Sequence, residues 1–128
     1  MALQPGLART ERFVVDERML TDLRGSLLVP VLSTPAMIAM MERNASLLAQ
    51  EHLASGEASV GFAVCVKHVA GTREGAACSV SAELREVIDG RKLCFDVEVR
   101  EGQRTIGLGT HERRVIDVAR HAASAGRG

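Results

Sequence analysis

Glu42 is a carboxylate on what the sequence predicts to be the apolar side of a helix. It follows Ile38 by four residues, adjoins Met41 and lies within one turn of Ala45. At the edge of the apolar stripe, its side chain would simply reach water. A partly buried carboxylate must instead be held by hydrogen-bond donors or take up a proton more readily, and such residues serve as catalytic bases. The sequence leaves both interpretations open.

His68 and Thr34 are the next candidates for chemistry. Strand alternation places His68 on one face with three apolar side chains, those of Phe62, Val64 and Val66. A histidine in such company is either a satisfied core or rim residue or a proton carrier, because the pKa of histidine lies near neutrality. Thr34 precedes Pro35 and is expected to be the N-cap of a helix. A helix N-terminus also attracts anions, so capping and chemical roles are compatible.

The segment 107–113 combines two glycines with charged side chains. It lies in a strand pattern and lacks the spacing of a phosphate-binding loop, so its glycines indicate a bulge or a close backbone approach. We interpret 111–113 as a solvated run of charges. The chain has no Gly-x-Ser-x-Gly elbow and no His-Glu-x-x-His helix. Its three cysteines lack disulfide or zinc spacing, and we predict plain thiols and no metal site.

The elements that must position these residues are one helix and a set of strands. Apolar residues recur at helical spacing before Gly56; they are Met37, Ile38, Met41, Ala45 and Leu48. Residues 11–19 indicate a short strand and 21–33 a loop. Four Val-rich stretches predict strands at 58–69, 76–87, 91–101 and 104–118. The inward side of the third is predicted to be Leu93, Phe95, Val97 and Val99.

This order predicts an antiparallel α+β fold in a single domain, residues 11–118, with residues 1–10 and 119–128 as flexible termini. One helix covers only one face of a sheet and leaves an edge free, so we expect association with a second copy, as a homodimer or a tetramer.

Composition narrows the function further. The 128 residues carry 16 Lys and Arg against 16 Asp and Glu, with no Trp or Tyr and three Phe. Neither the charge nor the aromatic side chains needed for nucleic-acid binding are available, so no nucleic-acid partner is expected. No apolar run has the length of a secretory signal or a membrane span, and we therefore predict a cytoplasmic location and no membrane partner.

Taken together, these residues make the chain similar to the hotdog-fold thioesterases of the fluoroacetyl-CoA thioesterase-like family, from about residue 11 to 118. The motifs that carry the likeness are Thr34 and Glu42 in Thr-Pro-Ala-Met-Ile-Ala-Met-Met-Glu, Gly61 and His68 in Gly-Phe-Ala-Val-Cys-Val-Lys-His, Gly75 in the following turn, and Gly-Thr-His-Glu-Arg at 109–113. The family's fold, one long helix wrapped by a curved antiparallel sheet of about five strands and doubled into a dimer, agrees with the element order above.

The resemblance implies hydrolysis of a short or small acyl-CoA thioester, with catalytic residues Thr34, Glu42 and His68 and substrate-binding residues Gly61, Gly75 and Arg113. Gly61 would offer its backbone N–H to the carbonyl that becomes an oxyanion. Glu42 would attack directly or activate water, and His68 would carry the proton. Thr34 would orient substrate or water, or serve as the nucleophile. CoA is part of the substrate, so no cofactor is expected.

Helix geometry constrains this site. Eight helical residues separate Thr34 from Glu42 by about 12 Å along the axis, so both cannot touch one small acyl group from a straight helix. Either the chain at Thr34 departs from the helix or the site takes residues from two subunits. We favour the shared site, because hotdog sites typically lie between subunits. Arg113, together with Lys67 and Arg73, is expected to meet the phosphates of CoA.

The residues before Thr34 bear on which acyl group the protein accepts. Fluoroacetyl-selective relatives close the pocket with aromatic residues before the Thr, whereas residues 24–30 contain none. We therefore predict a generic short-chain acyl-CoA as the substrate.

The alternative function is that of a non-catalytic acyl-CoA-binding or regulatory hotdog domain, in which Glu42 and His68 are structural. An enoyl-CoA hydratase fits less well, because no Asp or Glu precedes a His in a second-helix motif. A purely structural oligomer is the last alternative.

Overall fold

A computed structural model describes residues 3–125 of the chain. Within this range the elements are β1 (Ala8–Val14), β2 (Leu20–Thr21), β3 (Val31–Leu32), α1 (Thr34–Gln50), β4 (Glu57–His68), β5 (Ala77–Ile88), β6 (Lys92–Glu101), β7 (Arg104–Asp117) and α2 (Val118–Ala125). A single 3₁₀ turn connects β1 to β2. The four predicted Val-rich strands are thus confirmed to within a residue or so at each end.

Five of the strands form one antiparallel sheet in the order β1-β5-β6-β7-β4. Helix α1 packs on one face of this sheet and contributes Met37, Met41 and Leu48 to the core. The predicted alternation of β6 is confirmed, because all four of its inward residues are buried. Burial of apolar side chains between α1 and the sheet therefore drives the fold. Strand β4 ends the sheet on the side that carries the candidate site.

The start of α1 differs from the prediction. Ser33 is the N-cap, whereas the sequence predicts Thr34 there. The backbone of Ser33 is extended, and its hydroxyl accepts a hydrogen bond from the N–H of Ala36 at 3.1 Å. Ser and Thr are both good caps, so residue type alone could not separate them. Thr34 is therefore the first helical residue, and its hydroxyl is not used in capping.

Both ends of the chain depart from the sequence prediction in detail. Strand β1 covers 8–14 and not 11–19, because the Asp16 carboxylate accepts from the N–H of Arg18 and turns the chain there. Helix α2 occupies 118–125, where the sequence suggests no element, and its first turn is capped by Asp117, which accepts from the N–H of Arg120 at 2.9 Å. The predicted flexible termini include residues 1, 2 and 126–128, which lie outside the described residues. Neither described helix has the length and hydropathy needed to cross a bilayer.

Candidate active site

Thr34 and His68 meet although 34 residues separate them in the chain. The Thr34 hydroxyl and His68 Nδ1 are 2.8 Å apart and form a hydrogen bond. Thr34 comes from the first turn of α1, and His68 is the last residue of β4. Because Ser33 performs the capping, the Thr34 hydroxyl is available to the imidazole. We call these two residues the Thr34 cluster.

Glycines in β7 make this meeting possible. Gly107 is the β7 partner of His68 in the sheet. A Cβ on Gly107 would collide with the sulfur of Met37, and one on Gly109 would collide with the carbonyl oxygen of Cys65. Met37 lies one turn after Thr34, so the absent side chain at Gly107 lets the start of α1 lie close to His68. The predicted close backbone approach in this segment is thereby confirmed.

His68 is suited to accept a proton. Burial lowers its pKa and outweighs the opposing effect of the nearby Ala70 backbone, so the ring is neutral at pH 7. If the Thr34 hydroxyl donates to Nδ1, the ring proton lies on Nε2. Within the described residues, Nε2 is buried and has no hydrogen-bond partner. An unpaired buried N–H is costly unless a substrate or water satisfies it, which is typical of a functional site.

Glu42 lies at the other end of β4, beside Gly61. A Cβ on Gly61 would be 2.9 Å from Glu42 Oε2, 3.7 Å from His111 Cε1 and 3.8 Å from Arg113 Nη1. The register of β4 against β7 shifts between Gly61 and Ala63, so a β-bulge exposes the backbone at this point. Glu42 itself is half-buried, and its carboxylate lies against the exposed Gly61.

Arg113 is buried and bonded within the protein. It is 6% exposed; Nε donates to the Ser59 hydroxyl at 2.7 Å and Nη2 to the Ser59 carbonyl at 2.9 Å. Its third nitrogen, Nη1, lies 3.2 Å from His111 Nε2. Burial lowers the pKa of Arg113, and the Glu42 carboxylate opposes that shift. We call the group around this cation the Gly61 cluster; its members are Gly61, Glu42, Ser59, His111 and Arg113.

The structure therefore divides the predicted site residues into two sets. Thr34 and His68 lie together, and Glu42, Gly61 and Arg113 lie together. The seven residue steps of extended strand from Gly61 to His68 span about 23 Å. Gly75 belongs to neither cluster. It turns the loop before β5 with a φ of +87°, and its N–H donates to the Val15 carbonyl at 2.8 Å.

Sequence reasoning missed two members of the Gly61 cluster, Ser59 and His111. The interpretation of 111–113 as a solvated run of charges is wrong for His111 and Arg113, which are 1% and 6% exposed. The signal was the alternation with buried Val115, which puts 111, 113 and 115 on the inward face of β7. Among residues 3–125, no three His, Cys, Asp or Glu side chains gather as metal ligands.

Comparison with known proteins places this geometry in a family. A family model for the fluoroacetyl-CoA-specific thioesterase FlK matches residues 8–119. The fluoroacetyl-CoA thioesterase of Streptantibioticus cattleyicolor is 41% identical over 93 residues, which make up 73% of this chain and 66% of that protein. The matched region thus spans slightly less than two thirds of the curated relative.

Solved structures agree closely. The fluoroacetyl-CoA thioesterase FlK superimposes with a TM-score of 0.89 at 32% identity, covering 99% of this chain and 98% of that one. A phenylalanine-to-alanine mutant of FlK in complex with fluoroacetate and CoA has a TM-score of 0.83 at 34% identity, with 93% and 99% of the two chains covered.

A long helix on a curved five-stranded antiparallel sheet, shared with a solved thioesterase at 32% identity, defines the class of hotdog-fold thioesterases. The chain belongs to the family of fluoroacetyl-CoA-specific thioesterases, because the family model covers most of its length. The resemblance and the hotdog fold expected from the sequence are both confirmed, and the protein is classed with the thioester hydrolases.

Proposed function

We propose that this protein hydrolyses a small acyl-CoA thioester to the free acid and CoA, with Thr34, Glu42 and His68 as its catalytic residues. The observation that carries the proposal is the 2.8 Å contact between the Thr34 hydroxyl and His68 Nδ1, which leaves Nε2 without a partner in the described chain. A hydroxyl paired with a neutral imidazole is the arrangement that moves protons at neutral pH. Family membership supports the same reaction.

The Gly61 cluster supplies the second part of the chemistry. In the water route, Glu42 takes a proton from water as the oxygen adds to the thioester carbon, the C–S bond breaks, and the CoA sulfur receives a proton through His68. In the direct route, the Glu42 carboxylate attacks the thioester carbon, the C–S bond breaks and CoA leaves with a proton received through His68. Water then hydrolyses the resulting anhydride, which releases the acid and restores Glu42. In both routes the oxyanion is stabilised by the exposed backbone at Gly61, where one donor is worth a few kcal/mol.

We infer that the active unit is a homodimer formed through β4. This strand is an edge of the sheet, and it exposes Phe62, at 63%, together with Val64 and Cys65. An exposed apolar edge strand is a template for pairing with another chain. Antiparallel pairing about an axis between Val64 and Cys65 would set His68 of one subunit opposite Gly61 of its partner. Such a dimer joins one Thr34 cluster to one Gly61 cluster at each of two sites.

The proposed substrate has a short acyl group. Residues 24–30 supply aliphatic and not aromatic side chains, which favours a small acyl group without aromatic closure of the pocket. Fluoroacetyl-CoA belongs first in any panel, since the family is described as specific for it and the curated relative is named a fluoroacetyl-CoA thioesterase. Lys67, which precedes His68, and Arg73, in the loop before β5, are both exposed and suit the phosphates of CoA better than the buried Arg113. Gly75 shapes the loop that contains Arg73.

The proposal extends to the cellular compartment and to the cofactor requirement. The free thiols of Cys65, Cys78 and Cys94 suit a reducing compartment, which supports a cytoplasmic location. CoA acts as a portion of the substrate, and the proposed steps need no further cofactor.

The test is release of free CoA thiol from fluoroacetyl-, acetyl-, propionyl-, butyryl- and phenylacetyl-CoA. We expect turnover of a short acyl-CoA that is lost in Glu42→Ala, whereas Glu51→Ala, at the exposed end of α1, keeps it. Absence of turnover across the panel, with thermal stabilisation by CoA intact, would overturn the proposal in favour of a binding domain.

A further inference from the structure

His111 is the most buried ionisable side chain beside the proposed site. It is 1% exposed, and its ring stacks on Phe95 with a centroid separation of 6.2 Å. In the sheet it lies between Val64 of β4 and Phe95 of β6. None of the catalytic steps above uses it, yet its Cε1 lies within 4 Å of the position that a Gly61 side chain would occupy.

The two ring nitrogens of His111 have different partners, and these determine the tautomer. Nε2 faces Arg113 Nη1 at 3.2 Å. A guanidinium has donors and no acceptor, so Nε2 must be the unprotonated nitrogen. Nδ1 therefore carries the proton and donates to the Ala63 carbonyl at 2.9 Å. Burial lowers the pKa of His111, assisted by the charge of Arg113, and outweighs the opposing effects of the Ala63 hydrogen bond and the Glu42 and Glu112 carboxylates, so the ring is neutral at pH 7.

Both partners belong to the parts of the site that need fixed positions. Ala63 lies at the end of the bulge that exposes Gly61. Arg113 places a positive charge beside Glu42, and its orientation depends on Ser59 and His111. Without the Nε2 acceptor, Nη1 would lose its partner in the described chain, and the two contacts with Ser59 alone would hold the guanidinium.

We propose that His111 is a positioning residue that holds the Gly61 bulge with one ring nitrogen and the Arg113 guanidinium beside Glu42 with the other. This inference rests on the proposed function, since it assigns His111 to the same site. The ring acts through Gly61 and Arg113 and does not itself touch substrate. Its charged neighbours are Arg113 and Glu112 on β7 and Glu42 on α1.

Substitutions can separate the two contacts. Asn in place of His111 keeps a donor near the Nδ1 position and loses the acceptor for Arg113. Gln keeps an acceptor near the Nε2 position and loses the donor for Ala63. Phe keeps the stacking on Phe95 and loses both. The matched control is His52→Phe, because His52 is a partly buried histidine at the far end of α1.

The experiment measures kcat and KM for the best acyl-CoA substrate, with thermal melting as a check on folding. We expect His111→Phe to lose about 100-fold in kcat, the scale of a misplaced site, with KM changed less than threefold. His111→Asn and His111→Gln should each recover part of that loss, and His52→Phe should remain within threefold of the wild type. Folded Asn, Gln and Phe variants that all stay within threefold would overturn the proposal.

Nitrogen-15 NMR of the wild type and the variants gives a readout that needs no activity. We expect wild-type His111 as the Nδ1–H tautomer and a slowly exchanging Nη1–H of Arg113 that disappears in His111→Phe. If the wild type hydrolyses no thioester, the proposed function fails while these signals still test the positioning. An Nε2–H tautomer, or an Arg113 signal unchanged in His111→Phe, would refute the role of His111.

Discussion

The two ends of β4 hold their catalytic candidates in opposite physical states, with Thr34 and His68 at one end and Glu42 at the other. At the Thr34 cluster, an exposed hydroxyl meets a neutral imidazole, and one ring nitrogen has no partner in the described chain. At the Gly61 cluster, all three guanidinium nitrogens of Arg113 are bonded, and a backbone bulge is tied to His111. The first end is loosely bonded, as a site of proton transfer requires, and the second is tightly bonded, as a site of fixed charge requires.

This difference explains why the two clusters lie far apart in one chain. Proton transfer needs an unsatisfied group next to substrate, whereas a preorganised charge needs a fully bonded one. Each is built where the fold can support it: the first where α1 begins and β4 ends, the second where β4 bulges against β7. An edge strand common to both can bring them together across a two-fold axis.

The largest effect is expected at the loosely bonded end. His68→Ala removes the proton carrier and should lower kcat/KM at least about 100-fold, the usual scale for a general acid or base. Thr34→Ala removes only the hydroxyl that contacts His68, so we expect a smaller loss of kcat/KM than in His68→Ala. Thiol release across the substrate panel measures both. A loss below threefold in His68→Ala would remove His68 from the mechanism.

Mixing subunits tests whether the two ends cooperate across a dimer. His68→Ala and Glu42→Ala are each expected to be nearly inactive as homodimers. In a 1:1 mixture, half of the dimers are mixed, and each mixed dimer has one intact site of two. Activity should therefore recover to about a quarter of the wild-type value, a gain of at least about 25-fold over either variant.

The mixture is prepared by co-refolding or by co-expression with two tags, and light scattering gives the mass. If each site were complete within one subunit, the mixed dimer would have no intact site and no activity would return. That outcome, or a monomeric active enzyme, would contradict the shared site.

A smaller loss is expected at the tightly bonded end from one methyl group. In Gly61→Ala the new Cβ would be 2.9 Å from Glu42 Oε2, so the carboxylate must shift. We expect about a tenfold loss of kcat/KM with little change in the melting temperature. Gly71→Ala is the control, because its Cβ would meet Val31 at an ordinary 3.6 Å. Equal activity in the two variants would show that Glu42 does not need its present position.

Much of the fold could be predicted because its signals are local. Alternation gave the buried face of β6, and turn residues marked the strand ends. The cap of α1 was misassigned because Ser33 and Thr34 are chemically equivalent there. For the site, the family motifs selected Thr34, Glu42 and His68, but no local pattern shows which of them meet. Burial of His111 and Arg113 depends on three strands and a helix packing around them, so the local sequence of charged residues does not reveal it.

The smallest expected effect is on the pH dependence of the free energy of unfolding, to which the histidines of the two clusters contribute differently. Burial lowers the pKa of both His68 and His111 in the folded protein below the usual 6.5. The unfolded chain therefore binds more protons as the pH falls below 6.5, so stability falls in this range and is fully retained above it. Each histidine contributes a slope of at most about 1.4 kcal/mol per pH unit.

His111 is the more deeply buried of the two, so His111→Gln should flatten the dependence more than His68→Gln does. Urea unfolding at several pH values between 5 and 8 measures the slopes, and comparing slopes removes the constant cost of each substitution. Glu11 and Glu101, whose pKa values are lowered mainly by side-chain hydrogen bonds to Arg9 and Thr72, protonate below this window. If the free energy of unfolding depended less on pH in His68→Gln than in His111→Gln, His68 would be the more tightly enclosed histidine. The Thr34 cluster, and not the Gly61 cluster, would then be the tightly bonded end of β4.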